Sequence, residues 1–106
     1  MPDLFLAVAD PMRRRLIELL RGGAQSVGEL VAHVDIAQPG VSRHLRILQE
    51  AGFVSVTPDQ QRRIYSLRRE PFQELDAWVQ TYREAVEGRL DRLGRLVEPK
   101  KPKVKP

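Results

Sequence analysis

The stretch from Ser26 to Gly52 constrains this chain more than any other. Ser26-Val27-Gly28-Glu29 has the spacing of a capping box, in which the serine hydroxyl and the glutamate carboxylate satisfy early backbone donors reciprocally, so a helix is predicted to start there. Leu30, Val31 and Val34 give that short helix an apolar face. Asp35-Ile36-Ala37-Gln38 leaves room only for a tight connection, and Pro39 then sits where a first helical residue belongs. Val41, Leu45 and Leu48 repeat on one face until Gly52 closes this second helix. Two helices joined by so short a turn make a helix-turn-helix.

The flanking segments extend the pattern on both sides. Asp10-Pro11 supplies a capping carboxylate and a proline suited to the first helical position. Met12, Leu16, Leu19 and Leu20 follow at helical spacing, with Ile17 beside them, until Gly22-Gly23. Arg13, Arg14 and Arg15 lie in the first turns of that helix, where they do not help its dipole, and read as a solvated face with phosphate contact as the alternative. Leu4, Phe5, Leu6 and Val8 suggest a short apolar helix before it. After Gly52, Val54 and Val56 alternate with polar residues, as do Arg63, Tyr65 and Leu67, around the polar tip Pro58-Asp59-Gln60-Gln61. This is a two-stranded hairpin, a wing, that must pack on the helices through residues such as Val54 and Ile64 because an isolated hairpin is only marginally stable.

From Glu70-Pro71 a long helix is predicted, with Phe72, Leu75, Val79, Tyr82, Val86 and Leu93 recurring at alternating spacings of three and four and with Trp78 and Leu90 flanking them. Arg89 interrupts the seam. A single winged domain is too short to cover such a seam, so a homodimer interface through Phe72, Leu75, Val79, Tyr82 and Val86 is expected. The predicted organisation is one winged helix-turn-helix domain over 1–97, including a dimerisation helix over 71–97, and a basic tail over 98–106. The tail has three prolines and the lysines 100, 101, 103 and 105 and is expected to be disordered. The fold class is mainly α with a small β-hairpin wing (α+β).

Composition narrows the function classes. The 106 residues, 42% hydrophobic and 30% charged, suit one ordinary globular domain. A formal charge of +4 favours an anionic partner, but four of the positive charges are the tail lysines, so basic groups elsewhere must be clustered to matter. The absence of cysteine excludes disulfides, thiolate catalysis and any zinc site with sulfur ligands. No apolar run approaches the roughly 20 residues of a membrane span, and the N-terminus lacks signal-peptide features, so no membrane association and a cytoplasmic location are expected. No phosphate-binding glycine loop, serine elbow or His-x-Glu pattern is present, and His33 and His44 stand apart, so no enzyme is expected.

On a helical wheel the face opposite Val41, Leu45 and Leu48 carries Pro39, Ser42, Arg43 and Arg46, flanked by Gln38 and Gln49. Arginine suits bidentate contact with guanine and glutamine with adenine, while serine serves a base edge or a phosphate. These residues cluster near the N-terminal half of the second helix of a helix-turn-helix, the end that enters the major groove of double-stranded DNA. Gln38, Ser42, Arg43 and Arg46 are therefore the candidate reading residues. Gln60, Gln61, Arg62 and Arg63 on the wing could follow the backbone or the adjacent minor groove. Arg62 is the favoured phosphate contact, because Arg63 could pair instead with Glu50.

Ala37 to Val54, with Ser42-Arg43-His44-Leu45 at its centre, and the later Arg62-Arg63-Ile64-Tyr65-Ser66-Leu67 closely resemble the arsenic-repressor (ArsR/SmtB) family of bacterial regulators. The resemblance covers nearly everything from Asp10 to Leu67. It implies a dimer formed by terminal helices, a palindromic operator near the protein's own promoter, and repression by blocking transcription. The family's metal sites do not carry over. Ser26 and Gly28 stand where metal sensors keep a Cys-x-Cys pair, and on the long helix Asp76 is followed by Trp78, with Arg89 where another ligand would be needed. No metal or cofactor is expected and the inducer is left open, with a small-molecule or protein signal near Trp78 and Tyr82 as one reading. A winged adaptor that binds proteins rather than DNA is the alternative from another class.

Overall fold

The computed structural model describes residues 3–96, with side chains described to residue 89. It consists of two compact units divided between Glu74 and Leu75. The basic tail over 98–106 and the side chains of Leu90 and Leu93 lie outside the described residues.

The first unit begins with α1 (Leu4–Ala9), whose Asp3 side chain accepts from Phe5 N–H, and continues into α2 (Pro11–Leu20). Asp10 caps α2 as its sequence predicts: one carboxylate oxygen accepts from Met12 N–H at 2.8 Å and from Arg13 N–H at 3.1 Å. A two-residue strand β1 (Gln25–Ser26) leads into α3 (Val27–Val31). The capping box of α3 is formed in both directions, with Ser26 N–H donating to Glu29 Oε1 at 2.8 Å and Glu29 N–H donating to Ser26 Oγ at 3.2 Å.

The second helix of the motif, α4 (Gln38–Glu50), starts one residue earlier than expected, with Pro39 in its first turn and Ala37 at the N-cap without a side-chain bond. Ile36 closes the turn by packing on Gly40, where an added Cβ would come within 3.2 Å of Ile36 Cδ1. The helix ends in a Schellman arrangement. Phe53 N–H reaches Leu48 C=O at 2.9 Å and Gly52 N–H reaches Gln49 C=O at 3.0 Å. Gly52 holds φ +87°, a left-handed conformation that side chains resist, and this turn delivers Phe53 into the core with no exposed surface.

The wing consists of β2 (Val54–Asp59) and β3 (Arg62–Leu67), paired antiparallel from Val54 opposite Leu67 to Asp59 opposite Arg62. The sequence predicts Pro58 and Asp59 in the tip. Instead the strands run to Asp59 and Arg62, leaving only Gln60-Gln61 to turn. Pro58 is tolerated because β2 is an edge strand. A third strand that alternation could not show, β1, pairs with the other side of β3, with Gln25 opposite Tyr65 and Ser26 opposite Ile64. The sheet order is β1-β3-β2. Val54 is buried as expected, whereas the deepest residue of β3 is Tyr65, with Ile64 half-buried.

The core of this unit comprises Ala7, Leu16, Leu20, Leu30, Val41, Leu45, Leu48, Phe53, Val54 and Tyr65. It thus gathers α1, α2, α3, α4 and the wing around one apolar centre. The last helix, α5 (Glu70–Leu96), begins in this unit, where Phe72 packs edge-on against Phe53 with ring centroids 5.1 Å apart. In the second unit α5 carries a tilted Trp78–Tyr82 ring pair at 4.9 Å, and Thr81 Oγ1 donates to Ala77 C=O at 3.1 Å.

Candidate nucleic-acid interface

The two faces of α4 separate sharply. Val41, Leu45 and Leu48 have no exposed surface, while Gln38, Pro39, Ser42, Arg43, Arg46 and Gln49 are all exposed. The 3.6-residue period produces this division: 41, 45 and 48 fall on one stripe and 39, 42, 43 and 46 on the other. Burial of the first stripe fixes the helix, so the second is presented outward. The side chains of Ser42, Arg43 and Arg46 make no hydrogen bond or ion pair among the described residues and are available to an external partner.

The wing brings a second set of polar groups to the same side. Gln61, Arg62 and Arg63 border a cleft of about 310 Å³ that is also lined by Gln38, the first residue of α4, and by the Ser26–Gly28 stretch. Gln60 at the tip adopts φ +61°, unusual for a residue with a side chain, in a two-residue turn where glycine or asparagine is the common choice.

The charges of the wing differ from the sequence reading. Arg62, favoured there as the phosphate contact, donates through Nη2 to Asp59 Oδ2 at 3.0 Å, across the hairpin. Arg63 is exposed and pairs neither with Glu50 nor with any other group among the described residues. Register explains the reversal, since Asp59 and Arg62 are directly opposed whereas Arg63 faces Pro58. The Glu29 carboxyl lies below its ordinary range, chiefly because Ser26 N–H donates to it, with the Ser26 hydroxyl and the field of Arg62 acting in the same direction against desolvation.

His33 is exposed in the turn that follows α3, with Nδ1 3.0 Å from Glu29 C=O of that helix. His44 is half-buried on α4, and its Nδ1 lies 3.2 Å from Arg13 Nη1. No cluster of three His, Cys, Asp or Glu that could hold a metal occurs among the described residues. Of the five expected seam residues, Phe72 is half-buried against Phe53 and so is committed in part to its own unit. Leu75 is half-buried, and Val79, Tyr82 and Val86 are 43%, 55% and 48% exposed, leaving a large apolar strip along α5 in the single chain.

The arginines of α2 were missed as structural groups. Arg13 and Arg14 are neither a free solvated face nor unengaged cations, because both donate to backbone carbonyls at the end of α1. No local sequence signal identifies contacts of this kind.

The chain matches the bacterial regulatory protein, arsR family, over residues 10–56. Transcriptional repressor SdpR of Bacillus subtilis is 35% identical over 79 residues, which cover 74% of this chain and 88% of that protein. The biofilm growth-associated repressor of Agrobacterium fabrum is 41% identical over 64 residues, 60% of this chain and 55% of the relative. Among solved structures, an ArsR family transcriptional regulator superposes with a TM-score of 0.74 at 31% identity, covering 79% of this chain and 92% of that one.

Proposed function

Since this chain belongs to the ArsR family of bacterial regulatory proteins, a family of DNA-binding transcriptional repressors and not of enzymes, we propose that it acts as a homodimer on a palindromic operator in the cytoplasm. The observation that carries the reading is the division of α4, with an anchored apolar stripe and an unpaired polar face of Ser42, Arg43 and Arg46 on the second helix of the motif. In this arrangement Arg43 and Arg46 reach base edges in the major groove, Ser42 and Gln38 support them, and Arg63 with Gln60 and Gln61 follows the neighbouring backbone. Arg62 joins them to the extent that phosphate displaces Asp59. The two-fold symmetry of a dimer joined through Leu75, Val79, Tyr82 and Val86 would place two such helices on half-sites about one helical turn apart. No helix among the described residues is long and apolar enough to cross a membrane.

The direct test is fluorescence anisotropy with duplexes from the protein's own upstream region, preceded by selection from random sequence. A palindromic consensus bound by two chains supports the proposal. Equal affinity for all duplexes, or no binding at low salt, would refute it and leave the adaptor as the better reading.

A further inference from the structure

A helix leaves its last four carbonyls without partners inside the helix. In α1 these belong to Leu6, Ala7, Val8 and Ala9. Two adjacent arginines of α2 satisfy all four. Arg13 Nε donates to Ala7 C=O at 2.7 Å and Nη2 to Leu6 C=O at 3.1 Å. Arg14 Nη1 donates to Val8 C=O at 2.7 Å and to Ala9 C=O at 3.1 Å. The positive charges also oppose the negative end of the helix dipole.

These bonds fix the Arg13 guanidinium, a rigid planar fork, and so fix the direction of its remaining nitrogen. That nitrogen, Nη1, lies 3.2 Å from Nδ1 of His44 on α4. An arginine has no acceptor, so Nδ1 must accept and the imidazole carries its proton on Nε2. Asp10 completes the cluster. Burial pushes its carboxyl up, but the N–H groups of Arg13 and Met12, with the charge of Arg13 acting in the same direction, outweigh this and leave it below its ordinary range. The polar contact therefore joins α1, the start of α2 and the flank of α4 in one chain of bonds.

We propose that Arg13 is a positioning residue for DNA recognition, which sets the rotation of α4 about its axis by holding His44 from the end of α1. Burial of the apolar stripe of α4 decides which face points outward, but apolar attraction is non-directional and leaves the fine setting of the rotation to directional contacts. His44 stands between the buried and exposed faces, immediately after Arg43, so a directional bond there governs where the Arg43 guanidinium arrives in the groove. The inference rests on the reading of α4 as the helix that enters DNA.

The test uses the full chain. Long-range proton–nitrogen NMR correlations of His44 should show the Nε2–H tautomer in the wild type and a mixture in Arg13→Lys, which keeps the charge and loses the fork. Operator affinity, followed by anisotropy, should fall about tenfold in Arg13→Lys and in His44→Leu, a size typical of coupled neighbours, and the double variant should lose no more than the worse single one. His44→Asn, which restores an acceptor close to the position of Nδ1, should recover most of the lost affinity. Circular dichroism melts establish that each variant is folded. Should Arg13→Lys not fold, the wild-type tautomer and the comparison of His44→Leu with His44→Asn decide alone. An Nδ1–H tautomer, additive losses, or unchanged affinity in folded variants would overturn the proposal. A wild type that does not bind duplex DNA would instead overturn the functional reading beneath it.

Discussion

Arg63 and Arg62 are neighbours of the same type on one strand, yet their surroundings differ, and the proposed function predicts different weights for them in DNA binding. Arg63 is exposed and has no partner among the described residues, whereas Arg62 is 3.0 Å from Asp59. Each phosphate neutralised by a cation contributes about 0.9 to the slope of log affinity against log salt, so Arg63→Ala should flatten the slope by about 1.8 in a homodimer. Between about 50 and 200 mM salt the wild type should then lose about tenfold more affinity than the variant does. Arg62→Ala should change the slope less, because the neighbouring carboxylate already offsets its charge. An exposed pair of this kind holds by only about 0.2–1 kcal/mol, so Asp59→Asn should release Arg62 and steepen the slope. The assay is anisotropy across a salt series on the selected operator and on a scrambled duplex, where the change should be the same for both. An unchanged slope in Arg63→Ala together with a flattened one in Arg62→Ala would show that the Asp59 pair does not persist at the interface. If neither variant moved the slope, the wing would not touch the backbone.

Arg43→Ala should cost about 1–3 kcal/mol of discrimination at particular operator positions and little elsewhere, measured on a panel of single-base operator variants. Val79→Glu, which sets a charge into the exposed apolar strip of α5, should halve the sedimenting mass without unfolding the first unit. Asp10→Ala should cost about 1 kcal/mol by thermal or denaturant unfolding at neutral pH through loss of the α2 cap. Because the folded-state Asp10 carboxyl titrates below its ordinary value, its contribution is complete above about pH 4 and lost as pH falls through the lowered value, so the difference between variant and wild type should shrink in acid. Zinc, cadmium and arsenite should leave the operator complex intact in an anisotropy titration, since the chain has no cysteine and carries Ser26 and Gly28 at the positions of a thiolate pair. Release at stoichiometric metal would refute this.

Features encoded by adjacent residues were legible in the sequence. The Ser26–Glu29 box, the Asp10-Pro11 start and the Gly52 stop each need only a few consecutive positions, and all three are formed as read. The apolar stripe of α4 was equally clear, and the exposed reading face follows from it. What escaped depended on partners distant in the chain. A two-residue strand has no period, so β1 is visible only once β3 lies beside it. Tyr65 rather than Ile64 supplies the deepest anchor of β3 because both sheet faces meet protein in part, which alternation alone does not rank. The pairing of Arg62 required a hairpin register set by a two-residue turn, one shorter than Pro58 suggested. The fork of Arg13 spans α1 and α4, and nothing near position 13 signals His44, 31 residues away.

The separation of tasks within α4 has a consequence for how such a protein can change its operator. Replacing Val41, Leu45 or Leu48 by alanine would open space in a core where each has no exposed surface, at a cost of about 2–5 kcal/mol for the leucines, a large part of the stability of a small domain. Replacing Ser42, Arg43 or Arg46 breaks no side-chain hydrogen bond or ion pair among the described residues, and such surface changes usually stay within about 0.5 kcal/mol. Base preference can therefore be altered at almost no expense in folding, provided that the helix keeps its rotation. His44 is the exception on the outer flank, because its bond to Arg13 ties it to the end of α1. A substitution there would move every reading residue at once, whereas one at position 43 changes a single contact. On this reading specificity rests on two kinds of position, a few interchangeable side chains that meet bases and one half-buried polar tie that determines where they point.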